Sequence, residues 1–305
     1  MSNEKDNLEV GLKAFTGLLN EFRIRNIANK KVVRKSLVQH LSELSKKWDE
    51  QFPGFPGRQS SCFSFIGLGR KDSRNAQLKK IIIDRLKSED QNHGDQVIVT
   101  PACFIGRRER YLASQLRSFK VIATDINPRH NSFWRHFCRT PLNYEFQQDS
   151  IFRSRLEVHP LAVVFFGACG SLTDAAMDYF IKSSSPYLFC RTCCQQFIGG
   201  NIDVAKGFNL VNLYWRLIKP KLLKMLKEKK EYYFSPDYSM DQYPRSNVAK
   251  DFTNSDEFLK ISRFAAVSGI CRTIIDLDRF LYLVEHGYNV WYRSEMFIAE
   301  KLNVK

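Results

Sequence analysis

Long apolar runs are missing from this sequence of 305 residues. No stretch approaches the roughly 20 apolar residues that span a bilayer, so we expect no membrane-spanning helix and no membrane partner. The N-terminus, MSNEKDNLEV, has no basic start followed by an apolar segment, so we expect no signal peptide. Eight cysteines without a secretion signal favour reduced thiols over a disulfide framework. These absences together predict a cytoplasmic protein.

The sequence has fewer acidic than basic residues. The 32 Asp and Glu residues face 47 Lys and Arg residues, which leaves a net charge of +15 at neutral pH. An excess of this kind favours polyanionic partners, most often nucleic acid. With 44% hydrophobic and 26% charged residues, the chain has enough apolar side chains for a substantial core.

The first part of the chain has the pattern of amphipathic helices. In LEVGLKAFTGLLNEFRI apolar side chains recur every three or four positions, and KKVVRKSLVQHLSELSKKWDEQF repeats the pattern. The segment PGFPG then breaks it. We therefore predict a helical N-terminal extension over residues 1–57 and one larger domain over residues 58–305.

Strands and helices alternate through the larger domain. Five apolar or β-branched runs, QVIVTPA, KVIATDI, NYEFQQDS, LAVVFFGA and SPYLFCRTCC, predict strands, and helical patterns separate most of them. After a helical segment near the C-terminus, YNVWYRSEM predicts one last strand. This alternation predicts an α/β fold with a doubly wound, mostly parallel sheet covered on both faces.

Glycine is scarce in the turn after the first strand, where only Gly106 is found. In a doubly wound sheet, ligands bind beyond the carboxyl ends of the strands, and a turn that a ligand approaches closely favours glycine. Asp125 follows Gly106 by 19 residues, close to the spacing of an acid that accepts hydrogen bonds from ribose hydroxyls. Asp149, at the end of the third strand, could bind an adenine amino group. Either acid could instead be a turn or helix-cap residue.

Three segments carry a similarity to a known family: FFGACGSLTDAAMDYF, YLFCRTCCQ and GICRTIIDLDRFLYLVEHGYNV. In them the chain resembles class I S-adenosylmethionine-dependent methyltransferases. More narrowly, it resembles the branch with a HACGxLTD-type motif after the fourth strand and a double cysteine after the fifth. The similarity covers residues 95 to 295. It implies a seven-stranded, Rossmann-like methyltransferase sheet and S-adenosylmethionine as the methyl donor.

The resemblance also implies a donor pocket and a methyl-transfer face. The implied donor-binding residues are Thr100, Ala102, Gly106, Asp125, Asp149 and Gly167. The methyl-transfer face would be residues 167–173. The family's first turn normally begins with an acid and carries two or three glycines, whereas this chain has threonine, alanine and phenylalanine at matching positions. The tail after SEMF is also short for the usual closing strand pair.

Two cysteines stand where RNA cytosine-C5 methyltransferases carry theirs, Cys169 after the fourth strand and Cys193 after the fifth. In those enzymes one thiolate attacks the pyrimidine and the other assists release, so both are candidate catalytic residues. The alternative is that they are buried or pocket-lining thiols. Cys190, Cys193 and Cys194 lack a Cys/His pair of standard spacing that would complete a zinc site, so we expect no metal.

A basic, aromatic-rich insertion is predicted at residues 197–260. Its lysines could neutralise phosphates and its aromatic rings could stack on unpaired bases. The candidate RNA-binding residues are Lys219, Lys221, Lys224, Lys227 and Tyr232. The alternative is an amphipathic helix whose lysines are only solvated.

The sequence thus predicts an S-adenosylmethionine-dependent methyltransferase that acts on RNA. An alternative is a catalytically inactive protein of the same fold that serves as an RNA- or partner-binding subunit. Nicotinamide-dependent oxidoreduction is disfavoured because the G-x-G-x-x-G turn is missing. In the C-terminal helix, Asp276 and Arg279 could form an intrahelical ion pair worth a few tenths of a kcal/mol, or could support the pocket from below.

Overall fold

A computed structural model of the chain describes residues 2–24, 39, 41–53, 73–89, 96–103, 106–126, 140–168, 171–192, 244–254, 270–293 and 295–302. The helices are α1 (Ser2–Ile24), α2 (Ser42–Gln51), α3 (Ser73–Glu89), α4 (Arg107–Gln115), α5 (Ser171–Lys182), α6 (Asn247–Phe252) and α7 (Ile270–Glu285). The strands are β1 (Val97–Thr100), β2 (Lys120–Asp125), β3 (Tyr144–Gln148), β4 (Ala162–Ala168), β5 (Tyr187–Thr192), β6 (Tyr288–Arg293) and β7 (Met296–Lys301). A short 3₁₀ helix, Ile151–Arg153, follows β3.

The seven strands form one sheet in the order β3-β2-β1-β4-β5-β7-β6. Pairing is parallel from β3 to β5. β7 lies antiparallel between β5 and β6. The predicted doubly wound, mostly parallel Rossmann-like methyltransferase sheet is therefore confirmed, including its seven strands.

Side chains alternate between the two faces of the sheet, as the two-residue period of a strand requires. In β4, Val163 packs in one core cluster while its neighbour Val164 packs in the other. The first cluster includes residues of α1, α5, α6 and α7, and the second includes residues of α3 and α4. Both faces are thus covered, which explains why the central strands read as continuous apolar runs.

The C-terminal end of the chain contains two strands where the sequence predicted one. β6 and β7 form a hairpin whose turn includes Glu295 with a φ of 73°. The expectation that the tail is too short for a closing strand pair is wrong. A tight turn leaves six residues for β7, and these pair on both sides because β7 lies between β5 and β6.

The N-terminal helices pack against the sheet and its covering helices. Phe15 of α1 is fully buried, and α1 lies so close to α7 that a Cβ at Gly11 would be 2.7 Å from the ring of Phe280. Leu44 and Trp48 of α2 are buried as well. The division of the chain at residue 57 stays a prediction, since residues 54–72 are outside the described ranges.

Candidate functional site

The candidate site lies at the carboxyl edge of the sheet, between β1 and β4. From β1 the chain continues outward through β2 and β3, whereas β4 leads outward to β5 on the other side. The strand order therefore reverses between β1 and β4. In open α/β sheets this reversal leaves a crevice in which ligands bind.

The turn after β1 is held against the end of β2. The backbone N–H of Cys103 donates to the carbonyl of Thr124 over 2.9 Å, and the N–H of Gly106 donates to the carbonyl of Cys103 over 3.1 Å. The turn therefore stands directly beside Asp125, the last residue of β2.

Gly106 is required where it stands. It immediately precedes α4 with a φ of 68°, and a Cβ there would lie 2.6 Å from the Tyr144 hydroxyl oxygen and 2.9 Å from Nη1 of Arg110. A side chain here would adopt a strained left-handed backbone and would have to displace the ends of the Tyr144 and Arg110 side chains. The one glycine of the turn is thus at a position where any other residue is strained.

Two other predicted turn residues have specific conformations. Ala102 has a φ of 50°, a region that glycine adopts readily and other residues adopt at a cost. Thr100 is buried, and its hydroxyl donates to the carbonyl of Ile122 in β2 over 3.4 Å. The turn therefore keeps a glycine-like backbone at Ala102, while the Thr100 hydroxyl is directed at β2.

The two predicted acids are neighbours at the edge. Asp125 is 8% exposed, and its carbonyl accepts a hydrogen bond from the N–H of Asp149 over 3.2 Å. The carboxylate of Asp149 accepts from the Ser154 hydroxyl and, over 3.3 Å, from the N–H of Arg155. The Asp149 carboxylate thus holds the segment that follows the 3₁₀ helix, whereas the N-cap position of that helix is Ser150.

Gly167 lies across the crevice, near the end of β4. The register with β5 shifts between Phe166 and Ala168, Gly167 has a φ of 114°, and a Cβ added there would meet nothing within 4 Å. Arg108, in the first turn of α4, donates through Nη1 to the Phe166 carbonyl over 2.6 Å. The sequence analysis did not identify this arginine as a site residue. Its position was a detectable signal, because a cation at a helix N-terminus is unfavourable to the helix dipole.

A set of titratable side chains is buried beneath the turn. Glu109 is 4% exposed, and burial raises its pKa to about 7, against the lowering effect of nearby Arg108 and Lys79. Burial also raises the pKa of Cys103 and of Tyr144. The guanidinium of Arg110 stacks 4.6 Å from the centre of the Tyr144 ring. The sequence analysis identified Gly106 from its spacing, but it did not predict that Glu109 and Arg110 of the charged RRER segment are buried.

A second, fully buried network lies on the β4–β5 side. Arg279 donates from Nε and Nη2 to the two carboxylate oxygens of Asp174 over 2.8 and 2.9 Å, and from Nη1 to Asp276 over 3.0 Å. Asp276 also accepts from the hydroxyls of Thr192 and Tyr292 over 3.1 and 3.3 Å. The network links α5, β5, β6 and α7.

The predicted intrahelical ion pair between Asp276 and Arg279 is present, and it belongs to this larger buried network. Both residues are 0% exposed, and the bidentate partner of Arg279 is Asp174 of the SLTD segment, 105 positions earlier in the chain. Removing one partner of a buried ion pair lowers the free energy of unfolding far more than removing one partner of a pair on a helix surface.

Residues 244–246 are anchored to the same network. The carboxylate of Asp278 accepts from the N–H of Arg245 over 2.7 Å and from the N–H and hydroxyl of Ser246 over 3.0 and 2.7 Å. Desolvation raises the pKa of Asp278, against the lowering effect of these donors. The Arg245 side chain bonds Asp174 and Asp178. Arg245, which lies within the predicted basic insertion of residues 197–260, is thus attached beside the start of α5.

Several predicted residues are outside the described ranges. These are the candidate catalytic Cys169 and Cys193 and the candidate RNA-binding Lys219, Lys221, Lys224, Lys227 and Tyr232. Their roles stay predictions. Within the described ranges, no three His, Cys, Asp or Glu side chains are grouped so as to hold a metal ion. No helix in that part of the chain has the length and apolar character to cross a membrane.

Comparison with known proteins gave structural similarities only. No family model matches the chain, and no curated protein matches it. The fold is similar to that of a TehB-like methyltransferase from Corynebacterium glutamicum, with 13% identity over 50% of this chain and 73% of that one (TM-score 0.30). It is similar to an amino pentose methyltransferase, CalS10, from Micromonospora echinaspora, with 15% identity over 48% of this chain and 62% of that one (TM-score 0.34).

A third similar structure covers more of the chain. It is the magnesium protoporphyrin IX methyltransferase of Synechocystis with bound S-adenosylhomocysteine, at 10% identity over 90% of this chain and 100% of that one (TM-score 0.34). Identities and scores this low decide neither a family nor a substrate. The fold of this chain rests on its own sheet order and strand directions.

Proposed function

We propose that the protein transfers a methyl group from S-adenosylmethionine to RNA. One observation carries the donor part of the proposal. The Cys103–Thr124 hydrogen bond holds the turn that ends at Gly106 against the carboxyl end of β2, where Asp125 lies. Turn and acid thereby face one edge at the point where strand order reverses, which is the arrangement that a nucleoside-containing ligand requires.

The residues at this edge fit such a donor. Asp125 offers a carboxylate to ribose hydroxyls, and its partial burial strengthens hydrogen bonds to that carboxylate. Asp149 is its neighbour on the β3 side and would accept a hydrogen bond from an adenine amino group. Gly167 lies on the β4 side, and none of the described residues lies within 4 Å of a Cβ added there. The donor supplies a methyl group on a sulfonium; the acceptor forms the new bond to that carbon as the carbon–sulfur bond breaks.

Catalysis of this transfer depends mainly on alignment. Holding donor and acceptor in line accounts for much of the rate in such reactions, so a base catalyst is not required in principle. The buried Asp174–Arg279–Asp276 network fixes the start of α5 and the end of β5, the two elements that follow and neighbour β4. These are the elements against which an acceptor would be placed.

The RNA part of the proposal rests on charge and on where the insertion is attached. The chain has a net charge of +15. β5 ends with Thr192 at the carboxyl edge, and Arg245 is bonded to Asp174 at the same edge. The residues between Thr192 and Arg245 include the candidate lysines, so the segment that carries these lysines is attached at both of these points beside the proposed transfer site. Phosphate contacts by lysines would position RNA there.

Donor binding is tested by calorimetry with S-adenosylmethionine on wild type, Asp125→Ala and Glu145→Gln. Glu145 is a half-exposed acid of β3, paired with Lys120, and controls for the loss of one negative charge. We expect micromolar binding by wild type and Glu145→Gln, and a loss of about 10- to 100-fold in Asp125→Ala. No binding by wild type at millimolar donor would contradict the proposal and favour the inactive alternative.

The acceptor is tested by transfer of labelled methyl groups into total RNA, with nuclease digestion as the control for product identity. Replacing four candidate lysines by glutamine should weaken RNA binding and flatten its salt dependence. The replaced residues are Lys219, Lys221, Lys224 and Lys227. A matched variant replaces four exposed lysines elsewhere: Lys5, Lys46, Lys80 and Lys87. Equal effects of the two sets, or label that survives nuclease digestion, would contradict RNA as the acceptor.

A further inference from the structure

The side chain of Arg108 reaches across the crevice between β1 and β4. Val99 of β1 pairs with Val163 of β4, and Phe166 lies three residues further along β4, beyond the last residue of β1. Arg108, which follows β1 on α4, donates to the Phe166 carbonyl over 2.6 Å. Its guanidinium therefore crosses the edge at the reversal of strand order, where the ligand of such a sheet binds.

The three arginines of the RRER segment take different directions. Arg107 is exposed, and Arg110 is buried beneath the turn over the Tyr144 ring. Arg108, which lies between them in sequence and is half-buried, donates to the Phe166 carbonyl of β4. The three arginines of this helix end thus differ in burial, and the hydrogen bond of Arg108 places its guanidinium in the crevice.

Charge is divided along the edge. The two acids at strand ends, Asp125 and Asp149, lie on the β2–β3 side, and Arg108 lies on the β1–β4 side. Thr100, the residue that the family pattern would make acidic, is neutral and bonds to β2. An elongated ligand that fits this edge has hydroxyl or amino donors at one end and an anionic group at the other.

We infer that Arg108 binds the carboxylate at the methionyl end of the donor, so that this chain recognises the anionic group where an acidic first turn would recognise the ammonium. The inference rests on the proposed donor binding. A guanidinium matches a carboxylate in geometry and charge, and hydrogen bonds between ionised partners are stronger than neutral ones. Arg108 is thus a specificity-determining residue of the donor site.

A purely structural role for Arg108 gives a different result. If the side chain only holds the Phe166 carbonyl and the nearby β4 irregularity, its loss would weaken every ligand of the pocket to a similar extent. A role in binding the carboxylate affects only ligands that carry one. Donor analogues that differ in that group alone therefore separate the two roles.

The test is calorimetry of S-adenosylmethionine and of decarboxylated S-adenosylmethionine on wild type, Arg108→Gln, Arg108→Lys and Arg107→Gln. We expect wild type to prefer the carboxylate-bearing donor. Arg108→Gln should lose about 10- to 100-fold in affinity for that donor. Its affinity for the decarboxylated compound should not fall, because that compound carries one more positive charge and a guanidinium repels it. Arg108→Lys should keep part of the preference, and Arg107→Gln should behave as wild type.

The outcomes are distinguishable. Equal losses for both compounds in Arg108→Gln, or no loss for the carboxylate-bearing donor, would overturn the inference and leave donor binding in place. Failure of wild type to bind either compound would overturn the proposed function together with the inference. Thermal unfolding of each variant, measured without ligand, verifies that the protein compared is folded.

Discussion

The two halves of the sheet differ in how their buried charged side chains are paired. In the half formed by β4, β5, β6 and β7 with α5 and α7, here called the acceptor half, the buried charges satisfy one another. Arg279 has a bidentate partner in Asp174 and a second partner in Asp276, and hydroxyls fill remaining positions around Asp276. Such a network is rigid before any ligand arrives.

The half formed by β1, β2 and β3 with α4, here called the donor half, is arranged otherwise. Burial raises the pKa of Glu109 to about 7, so this carboxyl group is only partly ionised near neutral pH. Asp125 lies at the end of β2 and Arg108 in the first turn of α4, both at the crevice. The acceptor half thus contains a network of paired charges shared by several elements, whereas the donor half contains a buried carboxyl group that titrates near neutral pH.

The largest effect is expected from breaking the network of the acceptor half. Arg279→Met would leave Asp174 and Asp276 buried without their cation, which costs about 3–5 kcal/mol in the free energy of unfolding. Urea denaturation followed by circular dichroism measures this loss. The control is Lys120→Met, which breaks the exposed pair with Glu145 and should cost less than about 1 kcal/mol. Similar small losses for both variants would contradict the buried network.

A smaller effect is expected from filling the turn of the donor half. Gly106→Ala combines a left-handed backbone with a Cβ placed 2.6 Å from the Tyr144 hydroxyl, and should cost about 2–3 kcal/mol. Gly287→Ala has a similar φ, 79°, but its Cβ would meet nothing within 4 Å. It should cost only about 1 kcal/mol. Thermal unfolding distinguishes the two; equal losses would mean that the packing around Gly106 adds nothing.

The smallest effect is a dependence on pH in the donor half. The pKa of Glu109 is about 7 when folded and near 4.5 when unfolded, so the folded state binds more protons between these values. Stability from this group is present at low pH and is lost as pH rises through about 7. Glu109→Gln should match wild type near about pH 4 and be more stable than wild type near about pH 8, with the difference growing between about pH 4.5 and about pH 7.

Glu145 on β3 serves as a control, because its pKa is shifted in the direction opposite to that of Glu109. Hydrogen bonds from Lys120 and Gln147 lower the pKa of Glu145, so any stability from this exposed group is lost as pH falls. Glu145→Gln should therefore unfold like wild type at acidic pH, where the wild-type carboxyl group is protonated, and should be slightly less stable at neutral and alkaline pH, where that group is ionised. Chemical denaturation across a pH series measures both variants. A Glu109→Gln protein with the pH profile of wild type would contradict a titrating buried carboxyl group.

The strands of the parallel part of the sheet were predictable because each is a short apolar run bounded by turn residues. LAVVFFGA corresponds to β4, Ala162–Ala168, and KVIATDI to β2, Lys120–Asp125. The hairpin of β6 and β7 was missed because its turn, which includes Glu295, contains neither glycine nor proline. A left-handed residue other than glycine gives no local signal in the sequence.

Part of the site was predictable from the sequence. The residues that depend on short sequence spacing were identified, and those with partners far away in the sequence were not. Gly106 and Asp125 were found because one βαβ unit sets their spacing. Arg108 and the Arg279–Asp174 pair were missed as site features, because their partners are 58 and 105 positions away. Pattern reading along the chain assigns a charged residue on a helix to the solvent unless a distant partner is known.

The sequence by itself determined the alternation of strands and helices, the excess of positive charge and the place of the turn and its acid. These follow from local periodicity, composition and spacing within one unit. Only the tertiary structure decided that β4 lies beside β1, although β2 and β3 come between them in the chain. That adjacency brings Arg108 to the Phe166 carbonyl, while close packing buries Glu109 and Arg279. Burial and long-range pairing, which set the charge state of a side chain, exist only once the sheet has formed.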